Sequence, residues 1–233
     1  MTQMTQKLFV HAAVLVAAGL PVNAQIHGGN LTPPLSSAEL AHRVAAERAE
    51  FPSVLANALS PDSVRAMLRL IKEQQQNPAG SGITNFDNVN APCDFTETTP
   101  PLGLEQFGVF YAPLLNGGAI LKECSGFGIN ALTPPNFLAF NNTTAYLSGG
   151  IPRTPELIVV GQGKTTVSLW LSGGSMSGSF MSVVALGEQG VEEIVTTTTS
   201  PEWVQIILDG AGIEAVALVG NPLWLVVDDI EAQ

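Results

Sequence analysis

The chain has 233 residues, 12% of them charged, and a formal net charge of −11. The acidity is uneven: residues 25–80 carry five basic and five acidic side chains, whereas 81–233 carry fifteen acidic ones against Lys122, Arg153 and Lys164, a net of −12. So acidic a surface repels phosphate backbones and anionic lipid, which argues against nucleic-acid and membrane partners and leaves divalent cations and neutral ligands.

Residues 1–24 read as a removable export signal. Lys7 is their sole charge, Leu8–Leu20 is an apolar run broken only by His11, and Val22-Asn23-Ala24 puts small residues at the −3 and −1 positions. The run is too short to span a bilayer, and no later stretch reaches ~18 apolar residues. A short uncleaved anchor is the other reading. With cleavage after Ala24, the mature protein is expected to be soluble and secreted, or periplasmic in a Gram-negative source. Two cysteines remain, Cys93 and Cys124. An even count in an exported chain reads as one disulfide, closing a loop of about 30 residues for ~3–4 kcal/mol; two free buried thiols are the alternative. Neither a CxxC spacing nor a nearby histidine supports a metal site there.

Residues 25–80 are expected to be a helical stalk or arm with a linker. Gln25–Pro34 is rich in Gly, Pro and Thr and carries no element signal. Ser36-Ser37-Ala38-Glu39 is a capping box, and Leu40, Val44 and Phe51 form one stripe of a helix of about fourteen residues ending at Phe51-Pro52. Ser60-Pro61 starts a second helix with an apolar face of Val64, Met67, Leu68 and Ile71. The chain then fades into a linker at 74–80. Two short helices bury little by themselves, so a stalk, a packing arm and a pro-segment are all open readings.

From Ile83 short apolar or alternating runs recur between Gly, Pro and Asn turns. Strands are expected near 83–88, 106–111, 118–123, 136–140, 156–160, 165–171, 179–186, 191–199, 202–208, 213–219 and 223–228. Such spacing without a blade repeat predicts a mainly β fold, a single jelly-roll β-sandwich over 81–233. Alternation assigns faces: Val167, Leu169 and Leu171 oppose Thr166, Ser168 and Trp170, and Val204, Ile206 and Leu208 oppose Trp203, Gln205 and Ile207. Leu223–Val227 is apolar on both faces and is expected to be a covered strand.

The ordered series "ITNFDNV", "LEQFGVFY", "GGAIL", "TPPNFLAFNN", "PEWVQIIL" and "WLVVDDI" resembles secreted bacterial and fungal domains with a galactose-binding-like, carbohydrate-binding-module-type jelly roll. The resemblance spans Ile83–Glu231 and excludes the helices. It implies that the first and last strands lie side by side, so that Asp87 meets Asp228-Asp229 and helps hold a structural Ca2+ with backbone carbonyls. Asp229 is the favoured ligand, because Asp228 shares a face with Trp224 and Val226. The competing reading makes both carboxylates solvated strand-end groups that resist edge pairing.

Catalytic constellations are missing from the sequence. His11, His27 and His42 all precede the β region, which leaves it no Ser-His-Asp triad or Cys-His pair. Asp209-Gly210 lacks the Thr or Ser of an aspartic-protease loop and reads as a turn between strands; Gly161–Thr166 lacks phosphate-loop spacing and reads as a hairpin turn. A carboxylate-pair hydrolase needs two groups across a cleft, whereas Glu192-Glu193 and Asp228-Asp229 are neighbours that diverge; another pair brought together by folding is the remaining route to a glycan-active hydrolase. The expected role is therefore a non-catalytic binding module for carbohydrate or a cell-surface glycan, with Trp170 between Ser168 and Ser172 as its aromatic platform. Burial of Trp170 under the helices or a second sheet is the reading against it. The alternative role is a structural or cell-surface interaction protein whose second helix presents its stripe to a partner. Asn30, Asn141 and Asn142 occupy N-x-Ser/Thr sequons, which matter in a eukaryotic secretory route.

Overall fold

The computed structural model describes residues 36–73, 82–93, 104–106, 109–112, 119–141, 156–220 and 224–233. The export signal, the 74–80 linker and the sequons at Asn30 and Asn142 lie outside these. Among the described residues, no helix is long and apolar enough to cross a membrane.

Helix α1 (Ser37–Ala58) begins at the expected capping box: the Glu39 N–H donates to Ser36 Oγ, and the Ser36 N–H donates to Glu39 Oε2. It does not end at Pro52 but runs through it. Proline withholds one helical N–H at a cost of ~3 kcal/mol, so packing beyond it must compensate. Phe51 is buried against Phe180, with ring centroids 5.5 Å apart, and Ala58 is buried with Val54 and Leu55 packed alongside. Arg48 Nε donates to the Gly178 carbonyl at 2.7 Å, its guanidinium lies 4.9 Å from the Phe180 ring centroid, and Ser179 Oγ donates to Glu47. Helix α2 (Pro61–Glu73) lays its Val64/Met67/Leu68/Ile71 stripe on the same apolar cluster. The helical segment is thus a packed arm and not a free-standing stalk.

Ten antiparallel strands follow: β1 (Ile83–Thr84), β2 (Leu104–Gln106), β3 (Val109–Ala112), β4 (Ala119–Lys122), β5 (Asn136–Asn141), β6 (Glu156–Ser172), β7 (Phe180–Gly187), β8 (Gly190–Thr198), β9 (Val204–Val219) and β10 (Trp224–Ala232). Two corrections to the expected pattern matter. The 156–160 and 165–171 runs are one strand, and so are 202–208 and 213–219. Neither Gly161–Thr166 nor Asp209-Gly210 is a turn between strands. Both are bulged bends facing each other, where the β6–β9 register shifts between Val159↔Ala215, Lys164↔Ile213 and Thr166↔Asp209. Gly161 (φ 86°) and Gly163 (φ 71°) supply the left-handed backbone that such a bend requires.

Those paired bends fold one continuous sheet over on itself into a jelly-roll-type sandwich. One layer runs β4-β5-β10, then the C-terminal half of β6 and the N-terminal half of β9; the other runs β3, the remaining halves of β6 and β9, then β7 and β8. Between the layers lies the main core, including Leu138, Phe140, Ile158, Val160, Val167, Leu169, Leu171, Val183, Ile206, Leu208, Leu225 and Val227. Alternate residues face outward. Leu157, Val159, Val184, Leu186, Ala215 and Ala217 form an outer cluster that α2 and the end of α1 cover. Leu121, Phe137, Ala139, Trp224 and Val226 form another, covered by Phe127, Ile129 and Ala131 and by Leu40 and Val44 of α1. Strand β10 sits between β5 and β6 and is buried on both faces, as its double-sided apolar pattern required.

Candidate functional site

The closing aspartates lie inside the fold. Because β10 is central, Asp228-Asp229 is not an edge device, and the edge-protection reading fails. Asp228 is fully buried, with its carboxylate anchoring the loop that covers Phe137 and Trp224. Its Oδ2 accepts the N–H groups of Leu132 (2.9 Å) and Thr133 (3.3 Å), and its Oδ1 accepts the N–H of Asp229 (2.9 Å). Burial pushes its carboxyl up to about 7; the Asp229 N–H pulls it down, the Asp229 charge pushes it up, and the two loop N–H groups pull it down. With both oxygens engaged by backbone N–H groups, Asp228 anchors the loop.

Asp229 occupies the left-handed region (φ 44°), beside an irregularity in the β10–β6 register, and accepts Thr133 Oγ1. Strand β1 pairs with β10 (Thr84↔Ile230), so the first and last strands are neighbours, as the resemblance implied. The chain leaves β1 through Phe86, which is also left-handed (φ 65°), and Asp87 follows. Asp87 Oδ2 accepts Asn85 Nδ2 at 2.7 Å, whereas Oδ1 is shielded from solvent and makes no hydrogen bond. Burial raises the Asp87 carboxyl; the nearby Asn136 N–H lowers it and the Asp229 charge raises it. Asp229 is therefore close enough for its charge to act on both Asp87 and Asp228.

Asn136 is the residue that sequence reasoning missed here. Fully buried at the start of β5, its Nδ2 donates to the carbonyls of Phe86 and Val89, both at 2.8 Å. Its Oδ1 is left without a partner. Two shielded acceptor oxygens, Asp87 Oδ1 and Asn136 Oδ1, thus belong to residues in contact around the Phe86–Val89 turn. Among the described residues, no group of three or more His, Cys, Asp or Glu is arranged to hold a metal ion. A cation held here would draw on two carboxylates and on amide and backbone oxygens.

Trp170 projects from the outer face of the first layer, between Gln205 of β9 and Asp228 of β10 in register. It is partly buried and belongs to none of the three apolar clusters. Ser172, expected to flank it, is buried and used internally: its Oγ donates to the Ser200 carbonyl and accepts the Gly174 N–H, both at 2.9 Å. The open neighbours lie instead across the sheet, where Gln205 and Asp209 are exposed and Ile207 is 51% exposed. Ser168 and Thr166 continue the face on β6, and Thr166 Oγ1 donates to Asp209 at 3.0 Å. Trp203, on the same side of β9, is committed to packing: its Nε1 donates to the Asn130 carbonyl and its ring meets Phe137 at 6.5 Å. Alternation alone had placed Gln205 and Ile207 on this face; only the register showed that they adjoin Trp170.

Cys93 and Cys124 are bonded, with a Cα–Cα distance of 5.3 Å. The bond ties the segment after Asp87 to the end of β4, where the Lys122 N–H also donates to the Pro92 carbonyl at 2.9 Å. The paired glutamates are structural: Glu192 accepts the Ala211 N–H and Glu193 the Asp209 N–H, which brace the β9 bend.

No protein-family model and no curated protein matches the chain. Solved structures to which the chain is similar include carbohydrate-binding modules and adhesin domains. The K2 cleaved adhesin domain of Lys-gingipain is 12% identical, with 66% of this chain and 99% of that one covered, at a TM-score of 0.45. A family 61 carbohydrate-binding module in complex with β-1,4-galactotriose is 14% identical, covering 68% and 95%, at 0.37. A xylan-binding domain of family 22 is 13% identical, covering 66% and 94%, at 0.34.

Proposed function

We propose that the protein is a secreted, non-catalytic module that binds a neutral carbohydrate on the outer sheet face around Trp170. The supporting observation is the placement of Trp170: a partly buried indole outside every apolar cluster, in register with exposed Gln205 and near exposed Ile207. A pyranose ring stacks its C–H face on such an aromatic, while a neighbouring amide and hydroxyls hydrogen-bond its edge. Gln205, Ser168 and Thr166 supply those groups. With Asp209 on the face and a net of −12 over residues 81–233, uronic acids and sulfated sugars are repelled. The test is affinity electrophoresis or calorimetry against neutral polysaccharides. Trp170→Ala should abolish retardation while Trp203→Phe, which alters a packed ring on the same face, should not. Equal binding by wild type and Trp170→Ala would sink this reading.

The same proposal includes a structural calcium ion near Asp87, Asp229 and Asn136. The residues fit: two shielded oxygens without donors and two mutually repelling carboxylates suit a hard cation that takes six to eight oxygens. Asp87, Asp229 and the Asn136 side-chain oxygen would hold it, with backbone carbonyls completing the shell. An ion that binds only the folded state stabilises by about 2.7 kcal/mol at a hundredfold excess over Kd, so chelator should lower Tm and calcium restore it. Asp229→Asn should blunt that response; a wild-type Tm indifferent to chelator removes the ion from the proposal. The alternative, an interaction protein presenting α2 to a partner, loses its support because the α2 stripe is packed on the sandwich.

A further inference from the structure

Resting on the reading of Trp170 as a sugar platform, we propose that the ligand is a linear chain of neutral sugars that crosses the strands along one row of outward side chains, from Ile207 through Ser168 and Glu231 to Ile83. The pairing registers build that row. Ser168 on β6 pairs with Ile207 on β9 and with Glu231 on β10, and Glu231 pairs in turn with Ile83 on β1. Directly paired residues of antiparallel strands point to the same side of a sheet, so all four share the face of Trp170, two residues further along β6. The bulge at Asp229 sets the composition of the row. Trp170 pairs with Asp228, so an uninterrupted ladder would put Ile230 opposite Ser168; the extra residue puts Glu231 there and sends Ile230 into the core. Ile207 is 51% exposed and Ile83 45%, two of the four large hydrophobic side chains exposed among the described residues.

The dimensions select a slender occupant. Strand spacings of ~4.8 Å make the row about 14 Å long, the span of roughly three linked pyranose rings. The strip is bounded on both sides. Beyond Trp170 stand Trp203, whose Nε1 donates to the Asn130 carbonyl, and the loop whose Leu132 and Thr133 N–H groups are held by Asp228. On the other side Thr166 donates to Asp209, and the Thr165 and Thr166 N–H groups donate to the Gln233 carbonyl. Between these limits the face is about 14 Å square, roughly 200 Å², against the ~800 Å² that each partner gives to a standard protein interface. Its chemistry suits a sugar chain. The isoleucines at the two ends meet the C–H faces of the outer rings. Ser168, the smallest side chain of the row, leaves a depression beside the indole, and Glu231 stands next to it as an acceptor of hydroxyl hydrogens. Gln233 Nε2 donates to Glu231 Oε1 at 2.9 Å and steadies the carboxylate, which has room for about four hydrogen bonds in all. Hydroxyls that donate to a carboxylate make charge-assisted bonds, stronger than those to an amide. The same carboxylate, in a row without Lys or Arg, repels a uronic acid or sulfate at the middle of the site.

The experiment is calorimetric titration of the mature protein with β-1,4-linked oligomers of glucose, mannose, xylose and galactose, from disaccharide to hexasaccharide. In the series that binds, affinity should climb about tenfold from disaccharide to trisaccharide and then level off, because the row has ended. Ile83→Ala alters the end of the row two strands away from Trp170. It should weaken trisaccharide binding about three- to tenfold and leave disaccharide binding unchanged. Glu231→Gln keeps the shape and loses the charge, so it should weaken binding about threefold or more. Both side chains reach the surface, and the variants should unfold at the wild-type temperature. Should either misfold, an NMR titration of the wild type decides: the amides of Ile83, Ile207 and Glu231 should shift with trisaccharide, and that of Ile194 in the other layer should not. Trisaccharide binding that Trp170→Ala abolishes but Ile83→Ala leaves intact, with the Ile83 amide unmoved, keeps the platform and overturns the path across the strands. Affinity that climbs steadily through the hexasaccharide overturns the length. If no oligomer binds, the proposal falls, and electrophoresis in polysaccharide gels shows separately whether the Trp170 platform stands.

Discussion

Asp228 allows a sharp test through its response to pH. Its carboxyl is pushed up to about 7 in the folded protein by burial, against an ordinary carboxylate value of 3.8 when unfolded. The folded state therefore holds a proton that the unfolded state releases. The associated stability is fully present below about pH 4 and is lost as pH rises toward 7. About three units at 1.36 kcal/mol each put the loss at about 4 kcal/mol for the calcium-free protein. Other carboxylates also ionise in this interval, so a variant is needed to isolate the term. Asp228→Asn cannot titrate, but its amide presents an N–H group to at least one of the three backbone donors that now point at the carboxylate. A buried donor left unsatisfied costs about 1–3 kcal/mol at any pH. The variant should thus be less stable than wild type at pH 5, and the gap should close or reverse by pH 8. Urea unfolding followed by tryptophan fluorescence, in chelator and at both pH values, measures the difference. A gap that stays constant from pH 5 to 8 would show that Asp228 does not hold the proton, and the account of its burial would be wrong.

Further outcomes follow from packing and covalent structure. Ile71→Ala, which removes a buried side chain between α2 and the outer cluster, should cost about 2–5 kcal/mol in chemical denaturation; a cost within ~0.5 kcal/mol would mean the arm is not docked. The paired Cys93→Ser and Cys124→Ser variant should lose about 3 kcal/mol, because the bond closes a loop across a sequence separation of 31; an unchanged denaturation midpoint would contradict this. With Asp87 six residues ahead of Cys93, that variant should also weaken the calcium-dependent rise in Tm, read by thermal scans with and without chelator.

Sequence alone determined whatever depends on local pattern. The Ser36 capping box, the Val64/Met67/Leu68/Ile71 stripe, the alternation of Val167, Leu169 and Leu171 and the two-sided apolar run at Leu225–Val227 are local signals, and each is realised in the fold. The pairing of Cys93 with Cys124 needed only their count. Tertiary structure decided what depends on bends, register and cover. Helix α1 passes Pro52 because Phe180 and the outer cluster offset the lost hydrogen bond. Gly161 and Asp209-Gly210 look like turns, yet they bend two continuous strands; at Gly161 the left-handed backbone serves a bulge as well as it would a hairpin. The candidate sites show the same division. Asp87 and Asp229 were legible through a resemblance, but Asn136 carries no signal until the Phe86–Val89 turn folds onto it. Period-two patterning told which face Trp170 occupies; only the pairing of β6 with β9 and β10, and the path of the covering loop, set it beside exposed Gln205 while burying Trp224 on the same layer.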